Sequence, residues 1–372
     1  RQGPRPRFTL LASAMSLALL PSLALAQAAA PVPAEEEKAP DTATLATVEV
    51  RSQLESQLRA LDLQRDSDAI IGVVSSDSLG VYPDKNVAES LQRLPGVSIT
   101  RDQGEGRFVV VRGLDAALNS VSVNGMPIGT PEDSSRQATL DVIPSDSTER
   151  LTVVKAPTPD MSGDAIGGSI EIESASAFDR EGRSLRGRIE ASYPQLSGDV
   201  NNKLAFNYSE VFADTFGVAL GVNYQNRKFE SDNTEVEYDG EDDATPGDVT
   251  AINLQHRKYE IERKRIGANL NLDWRPSEDS SYYLRALYSR FDDAETRQRT
   301  IFNFEDADMV ATGTDQFRLD DLPSDAIQKR MRYRTKEENT FAASLGGENR
   351  LSSAVVDYKV GYTKTEERVD DE

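Results

Sequence analysis

The 372-residue chain has no cysteine and only one histidine. Without cysteine there are no disulfides, thiolate metal sites or cysteine nucleophiles. A serine–histidine catalytic pair would have to use His256, which sits in the polar stretch Gln255-His256-Arg257-Lys258 and reads as an exposed loop residue. Positive charge is also short, with 42 Lys and Arg against 63 Asp and Glu and a formal net charge of −21. That balance argues against nucleic-acid binding, which draws on a basic patch. Gly104, Gly106, Gly167 and Gly168 are not followed by Gly-Lys-Ser/Thr and do not join a strand to a helix, so they make no phosphate loop. No paired-carboxylate motif stands out. The residues point to no catalytic group, no cofactor and no metal, and so to a protein that is not an enzyme.

What is present begins with Arg1, Arg5 and Arg7, followed by an apolar stretch over 8–25 and then Ala24-Leu25-Ala26. A basic start, an apolar run broken by Pro21 and a small-x-small site predict a secretory signal peptide over 1–26. Residues 27–66 read as a flexible linker, rich in Ala, Pro, Glu and Thr as far as 44. Near its middle, Ala46-Thr47-Val48-Glu49-Val50 is a short extended run that could add to the edge of another protein's sheet. Much of the excess acid falls in 230–248, which carries no Lys or Arg after Glu230 and reads as a solvated loop.

Residues 67–178 predict a compact α/β domain. Strands are expected over 70–75, 97–100, 108–112, 120–123, 126–128, 151–155 and 169–173. Asp84 is the expected cap of a helix over 85–94, which Pro95-Gly96 stops. Gln103-Gly104-Glu105-Gly106 reads as a turn, and Asn124-Gly125 as a two-residue hairpin.

From Ser184 the pattern becomes a meander of period two. Phe216, Val218, Leu220, Val222 and Tyr224 alternate with Gly217, Ala219, Gly221 and Asn223. Ile266, Ala268, Leu270, Leu272 and Trp274 alternate with Gly267, Asn269, Asn271 and Asp273. Such two-faced segments of about ten residues suit tilted strands of a transmembrane barrel. Seven are predicted within 184–372, joined by alternating short turns and long polar connections over 230–259 and 292–334. Phe212, Phe216, Trp274, Tyr282 and Tyr283 cluster at the short turns, as an interfacial girdle would. Seven strands cannot close a barrel in lipid, because an open edge leaves backbone groups unpaired. The expectation is therefore an N-terminal portion of a longer polypeptide.

The order of these segments resembles a TonB-dependent outer-membrane receptor. The likeness rests on 87–97, ending in Leu94-Pro95-Gly96-Val97, then Val111-Arg112-Gly113-Leu114 and Val123-Asn124-Gly125. Glu149-Arg150-Leu151-Thr152-Val153 and Ile166-Gly167-Gly168-Ser169-Ile170 follow in the same order. Ser98-Ile99-Thr100-Arg101-Asp102 with Gly104-Glu105-Gly106-Arg107 resembles a Xanthomonas- and Caulobacter-type subgroup. The resemblance implies an α/β plug inside an antiparallel barrel of about 22 strands, in the outer membrane of a Gram-negative cell.

It further implies active import of a scarce or bulky ligand, an iron–siderophore complex or a carbohydrate. The partners would be TonB with its inner-membrane energising complex, the ligand and outer-membrane lipid. TonB would pair with Ala46, Thr47, Val48, Glu49 and Val50. Arg112, Glu149 and Arg150 would hold the plug against the wall, with Arg186, Arg188, Glu190 and Lys203 as candidate partners. Gln103, Glu105, Arg107, Thr130, Glu132 and Arg136 would lie on ligand-facing plug loops. A signalling receptor is disfavoured because only about twenty residues separate Ala26 from the box. A passive porin is disfavoured because an open pore needs no plug.

Overall fold

The computed structural model describes residues 52–75, 84–132, 135–159, 161–180, 182–239, 250–305, 307–313 and 316–372. The signal segment 1–26 and the box at 46–50 lie outside the described residues, as do residues 240–249 of the acidic stretch.

The first element is α1 (Ser52–Asp66). The linker expectation is corrected for 52–66 alone, 27–51 lying outside the described residues: Leu, Gln, Glu, Arg and Ala are strong helix formers, and no Gly or Pro interrupts them. Ala60 is buried, while Leu58, Leu61 and Leu63 are exposed.

The plug follows as β1 (Ile71–Ser75), α2 (Val87–Leu91), β2 (Val97–Asp102), β3 (Glu105–Val111), β4 (Asn119–Val123), β5 (Met126–Pro127), β6 (Arg150–Val154) and β7 (Gly168–Glu173). Five of these strands form a mixed sheet in the order β1-β6-β7-β4-β5, with β4 and β7 parallel. The pair β2–β3 is a separate hairpin. Val87, Leu91, Val111, Leu140, Ile143, Leu151, Ile170 and Ile172 fill the core between them.

Two local expectations change. The cap of α2 is Asn86, not Asp84: Asn86 Oδ1 accepts from Glu89 N at 3.1 Å, and Asn86 Nδ2 donates to Gly106 O at 2.9 Å. Asp84 instead accepts from Ser90 Oγ and pairs with Arg93. The turn after β2 is shorter than expected. Gln103 and Gly104 both take positive φ, 49° and 78°, so two residues close the hairpin and Glu105 falls in β3.

The chain then forms β8 (Ser184–Ser192), β9 (Asn201–Phe212), β10 (Phe216–Asp239), β11 (Thr250–Ser277), β12 (Ser280–Asn303), β13 (Asp308–Ala311), β14 (Phe317–Asp320), β15 (Ile327–Leu351) and β16 (Ala354–Asp371). β13 and β14 pair only with each other. The rest make one antiparallel wall of seven strands, ordered β16-β15-β12-β11-β10-β9-β8. Its two edge strands do not pair, so the barrel is open in the described chain.

The wall is inverted relative to a water-soluble sheet. Leu220, Val222, Ile266, Leu270, Trp274, Leu345, Val360 and Tyr362 are exposed. Asn223, Arg263, Arg265, Asn269, Asn271, Asp273, Ser289, Glu338 and Thr340 are buried against the plug. An apolar outer face with a polar covered face is the arrangement lipid demands. The apolar face runs from the row Phe216, Trp274, Tyr282 up to Tyr224 and Ile266. Trp274 and Tyr282 stack at its lower rim, 5.2 Å between ring centroids. Above it the outward row changes to Asn226, Lys264, Asp292 and Glu337.

The long polar connections expected over 230–259 and 292–334 are mostly strand. β10 and β11 stay paired up to Asp239 and Thr250, and β12 and β15 up to Phe302 and Ile327. Backbone pairing needs no apolar face, and cross-strand charge pairs support it. Lys258 lies 3.2 Å from Glu230, and Arg290 2.8 Å from Glu337. His256 is exposed but sits in β11, its Nδ1 3.1 Å from Thr234 Oγ1.

Candidate functional site

The plug meets the wall through charge and hydrogen bonds more than through apolar packing. The deepest contact is at the β2–β3 hairpin. Glu105 is fully buried, and three wall arginines converge on it. Arg263 Nη1 lies 3.0 Å from Glu105 Oε2, and Arg265 Nη2 lies 2.5 Å from the same oxygen. Arg227 pairs with Glu105 Oε1. Asp102 Oδ2, on the same hairpin, is 3.1 Å from Arg263 Nη2, and Asp293 Oδ1 of β12 is 3.3 Å from its Nε. Arg265 Nε donates to Asp141 O at 2.7 Å. Burial alone would raise the Glu105 carboxyl, but Arg265, Arg263 and Arg227 together hold it well below the usual carboxylate range.

Strand alternation explains the convergence. Arg263 and Arg265 share the inward parity of Gly267, Asn269 and Asn271, so the polar stripe of β11 continues upward as charge. Phe291 lies under Arg265, 4.7 Å from the guanidinium carbon, and excludes water from one side.

A second cluster surrounds Lys336 of β15. Its Nζ lies 3.3 Å from Glu132 of the plug and 2.8 Å from Glu367 of β16, and it pairs with Glu338. Thr139 Oγ1 of the plug donates to Glu338 Oε2 at 3.0 Å. The three carboxylates lie within 4.8 Å of one another, and the Lys336 ammonium stands where a cation would balance them.

Further contacts line the end with the short turns. Ser174 Oγ and Asn271 Oδ1 are 3.0 Å apart, and Ser176 Oγ donates to Asp273 Oδ2 at 2.8 Å. Farther from those turns, where Lys203 lies in register with Gln225 and Arg265, Asp146 of the plug receives Arg188 at 3.1 Å and Lys203 at 2.6 Å. Among the described residues, only Leu287, Phe291 and Ala342 of the wall join the plug's apolar core.

The expected site residues redistribute. Arg112 Nη2 donates to Gly167 O at 3.2 Å, and Arg150 pairs with Glu173 across β6 and β7, so both are tied within the plug. Glu149 takes Arg180 at 2.5 Å. Glu105 is not on a ligand-facing loop: the shortened turn places it in a strand, under the wall. Arg107 and Glu132 pair with each other, and Glu132 also reaches Lys336. Gln103 and Thr130 are half-buried, and Arg136 is exposed with Asp164 2.8 Å away.

The wall residues Arg227, Arg263, Arg265, Lys336 and Glu338 were missed. Their signal was present: each continues the inward parity of a strand already identified. They lie at or just beyond the ends of the strands that apolar alternation marks, where the inward row changes from small polar residues to charged ones.

Residues 63–169 match the family described as TonB-dependent Receptor Plug Domain. Over 171 residues, 44% of this chain and 27% of the relative, the sequence is 30% identical to a vitamin B12 transporter, BtuB, of Photobacterium profundum. Among solved structures it is similar to a ferric enterobactin receptor of Pseudomonas aeruginosa, at 14% identity and a TM-score of 0.46, covering 82% of this chain and 50% of that one. It is similar also to the ferric citrate transporter FecA, at 12% identity and a TM-score of 0.41, covering 84% of this chain and 58% of that one. The chain thus spans 27% of the length of the curated relative and 50% of the first of these structures. Residues 63–169 thus form a plug domain of the TonB-dependent receptor type, and a seven-stranded antiparallel wall follows them.

Proposed function

We propose that this chain is part of an outer-membrane receptor that imports a scarce or bulky ligand with energy delivered by TonB. The observation that supports it most is a plug seated on the polar face of a lipid-facing wall by buried, water-exchangeable contacts. An apolar seal would resist rearrangement, since its exposure to water costs roughly 25 cal/mol per Å². Ion pairs and hydrogen bonds can be traded for water as the plug shifts.

The ligand would bind where the strands rise beyond the apolar band, above the plug. TonB would pair with Ala46, Thr47, Val48, Glu49 and Val50 from the opposite side. A strand docked along an edge loads several backbone hydrogen bonds together, which suits a pull. The import of a cobalamin-sized, siderophore or carbohydrate ligand is compatible with this arrangement. The test deletes 46–50 from the complete receptor. Loss of uptake with retained surface binding is expected; unchanged uptake would refute the assignment of the box.

A further inference from the structure

Above the Glu105 cluster the inner face of the wall carries arginines in register. Arg257, Arg299 and Arg330 stand directly opposite one another on β11, β12 and β15. Two residues nearer the plug, Arg297 opposes Arg332 on one side and Tyr259 on the other. These positions share the parity of Arg263, Asp293 and Lys336, all of which face inward and are buried.

Directly opposed like charges destabilise a sheet. Carboxylates answer only part of this face. Glu235 pairs with Arg257. Glu295 takes Arg332 at 2.8 Å and Arg334 at 3.3 Å, and Asp371 lies 3.5 Å from Arg332. Among the described residues, Arg297, Arg299 and Arg330 make no ion pair. Burial, and then the neighbouring charges of Arg297, Arg330, Arg257 and Arg332, hold the Arg299 guanidinium below its ordinary range. Arg297 Nε is buried without a partner. Beneath the row, Tyr259, Phe229 and Ile261 form a buried apolar cluster.

A net-acidic chain therefore keeps Arg297 and Arg299 half-buried and Arg330 exposed, with no ion pair to any of the three among the described residues, on the side where a ligand would enter. We propose that Arg297, Arg299 and Arg330, with Arg257, bind a solute bearing two or more carboxylates. The strand separation sets the spacing of those carboxylates at about 5–10 Å. Guanidinium pairs with carboxylate through two parallel hydrogen bonds, which fixes orientation as well as charge. The sugar-acid units of an acidic oligosaccharide and a compact polycarboxylate both offer this chemistry. The proposal rests on the receptor reading for how the solute arrives, but binding itself does not depend on transport.

The test uses the complete receptor in detergent and measures equilibrium binding of three probes: citrate, digalacturonate and the neutral dimethyl ester of digalacturonate. At least one acid should bind, and digalacturonate, if it is the one, about tenfold or more tighter than its ester. Added salt should weaken that binding. The double variant Arg297→Gln/Arg299→Gln should lose about tenfold or more while keeping its sheet circular dichroism. Lys329→Gln, on the opposite face of β15, should bind as the parent does. The proposal is overturned if neither acid binds, if acid and ester bind equally, or if the double variant is indistinguishable from the parent. Deleting 46–50 separates the two readings. Arginine-dependent binding with uptake indifferent to that deletion removes the import reading and keeps this site; box-dependent uptake without acid binding does the reverse.

Discussion

Arg263 Nη1 of the wall lies 3.0 Å from Glu105 Oε2 of the plug, across 158 residues of chain. The same guanidinium also holds Asp102 and Asp293, so one side chain ties the plug hairpin to two neighbouring wall strands. Each partner is buried or half-buried, so none can be removed without leaving charge uncompensated.

Replacing Glu105 with Gln leaves Arg227, Arg263 and Arg265 facing a neutral group. Removing one partner of a buried pair costs about 3–5 kcal/mol. The plug should loosen first, because its hairpin has lost its anchor while the wall keeps its own pairing. Thermal unfolding of Glu105→Gln in the complete receptor should begin at lower temperature, and a large antibiotic should permeate cells carrying it. A variant as stable and as tight as the parent would show that the cluster does not hold the plug.

Glu105 also sets a pH expectation. Its carboxyl is held below its ordinary range in the folded protein, so the unfolded chain binds the proton more readily. The stabilisation is then fully present above the ordinary carboxylate range and is lost only as pH falls through the depressed folded value. Asp141 has the opposite sign. Its Oδ1 is buried without a partner, and burial raises the carboxyl despite Arg265, Arg107 and Arg263 nearby. The folded protein holds that proton more tightly, so the group destabilises at neutral pH and stops doing so as pH falls below the ordinary Asp range. Asp141→Asn should therefore raise the unfolding temperature at pH 7. The gain should vanish in acid. A variant less stable than the parent at pH 7 would mean that the ionised form is required.

Much of this was legible in the sequence, for reasons visible in particular residues. Apolar alternation located the part of each strand whose outer face is apolar. It stopped at Asn226 and Arg265, where the outward row turns polar, and so cut the strands short by more than ten residues at Asp239 and Thr250. Asn124-Gly125 gave the hairpin because only a few residues accept two positive φ angles; the structure shows 51° and 71°. Gln103-Gly104 adopts the same turn, but Gln is a poor signal for it, and that one shift moved Glu105 from a loop to the centre of the interface. Motif order found Arg112 and Arg150 but not their partners, since Gly167 and Glu173 are near only through strand pairing.

The cap of α2 gives a local stability prediction. Asn86 is buried and serves both the Glu89 amide and the Gly106 carbonyl. Asn86→Ala should cost about 1 kcal/mol for the cap and a further 1–3 kcal/mol for the unpaired Gly106 carbonyl. Asp84→Ala, at the position the sequence favoured, removes pairs with Ser90 and Arg93 but no helix-end bond. Denaturant midpoints of the two variants in the complete receptor decide between them; a larger loss for Asp84→Ala would overturn the assignment.

The inverted wall makes the sharpest prediction. Leu270 sits in the middle of the apolar face, opposite Leu220 and Ala286, and is exposed. If that face meets water, Leu270→Arg removes little and should fall within about 0.5 kcal/mol of the parent. If it meets lipid, an arginine near the bilayer midplane costs about 2–4 kcal/mol, falling towards 0–1 kcal/mol at the rim. Asn226→Arg is the rim control, two residues above Tyr224 on the same outward face. Equilibrium folding of the complete receptor into vesicles should therefore separate the two variants by about 2–3 kcal/mol. Equal effects would mean that the exposed apolar face is covered by something other than a bilayer. The depth dependence is the discriminating quantity, because a protein partner would penalise an arginine by the local fit of its surface and not by height above the girdle of Trp274 and Tyr282.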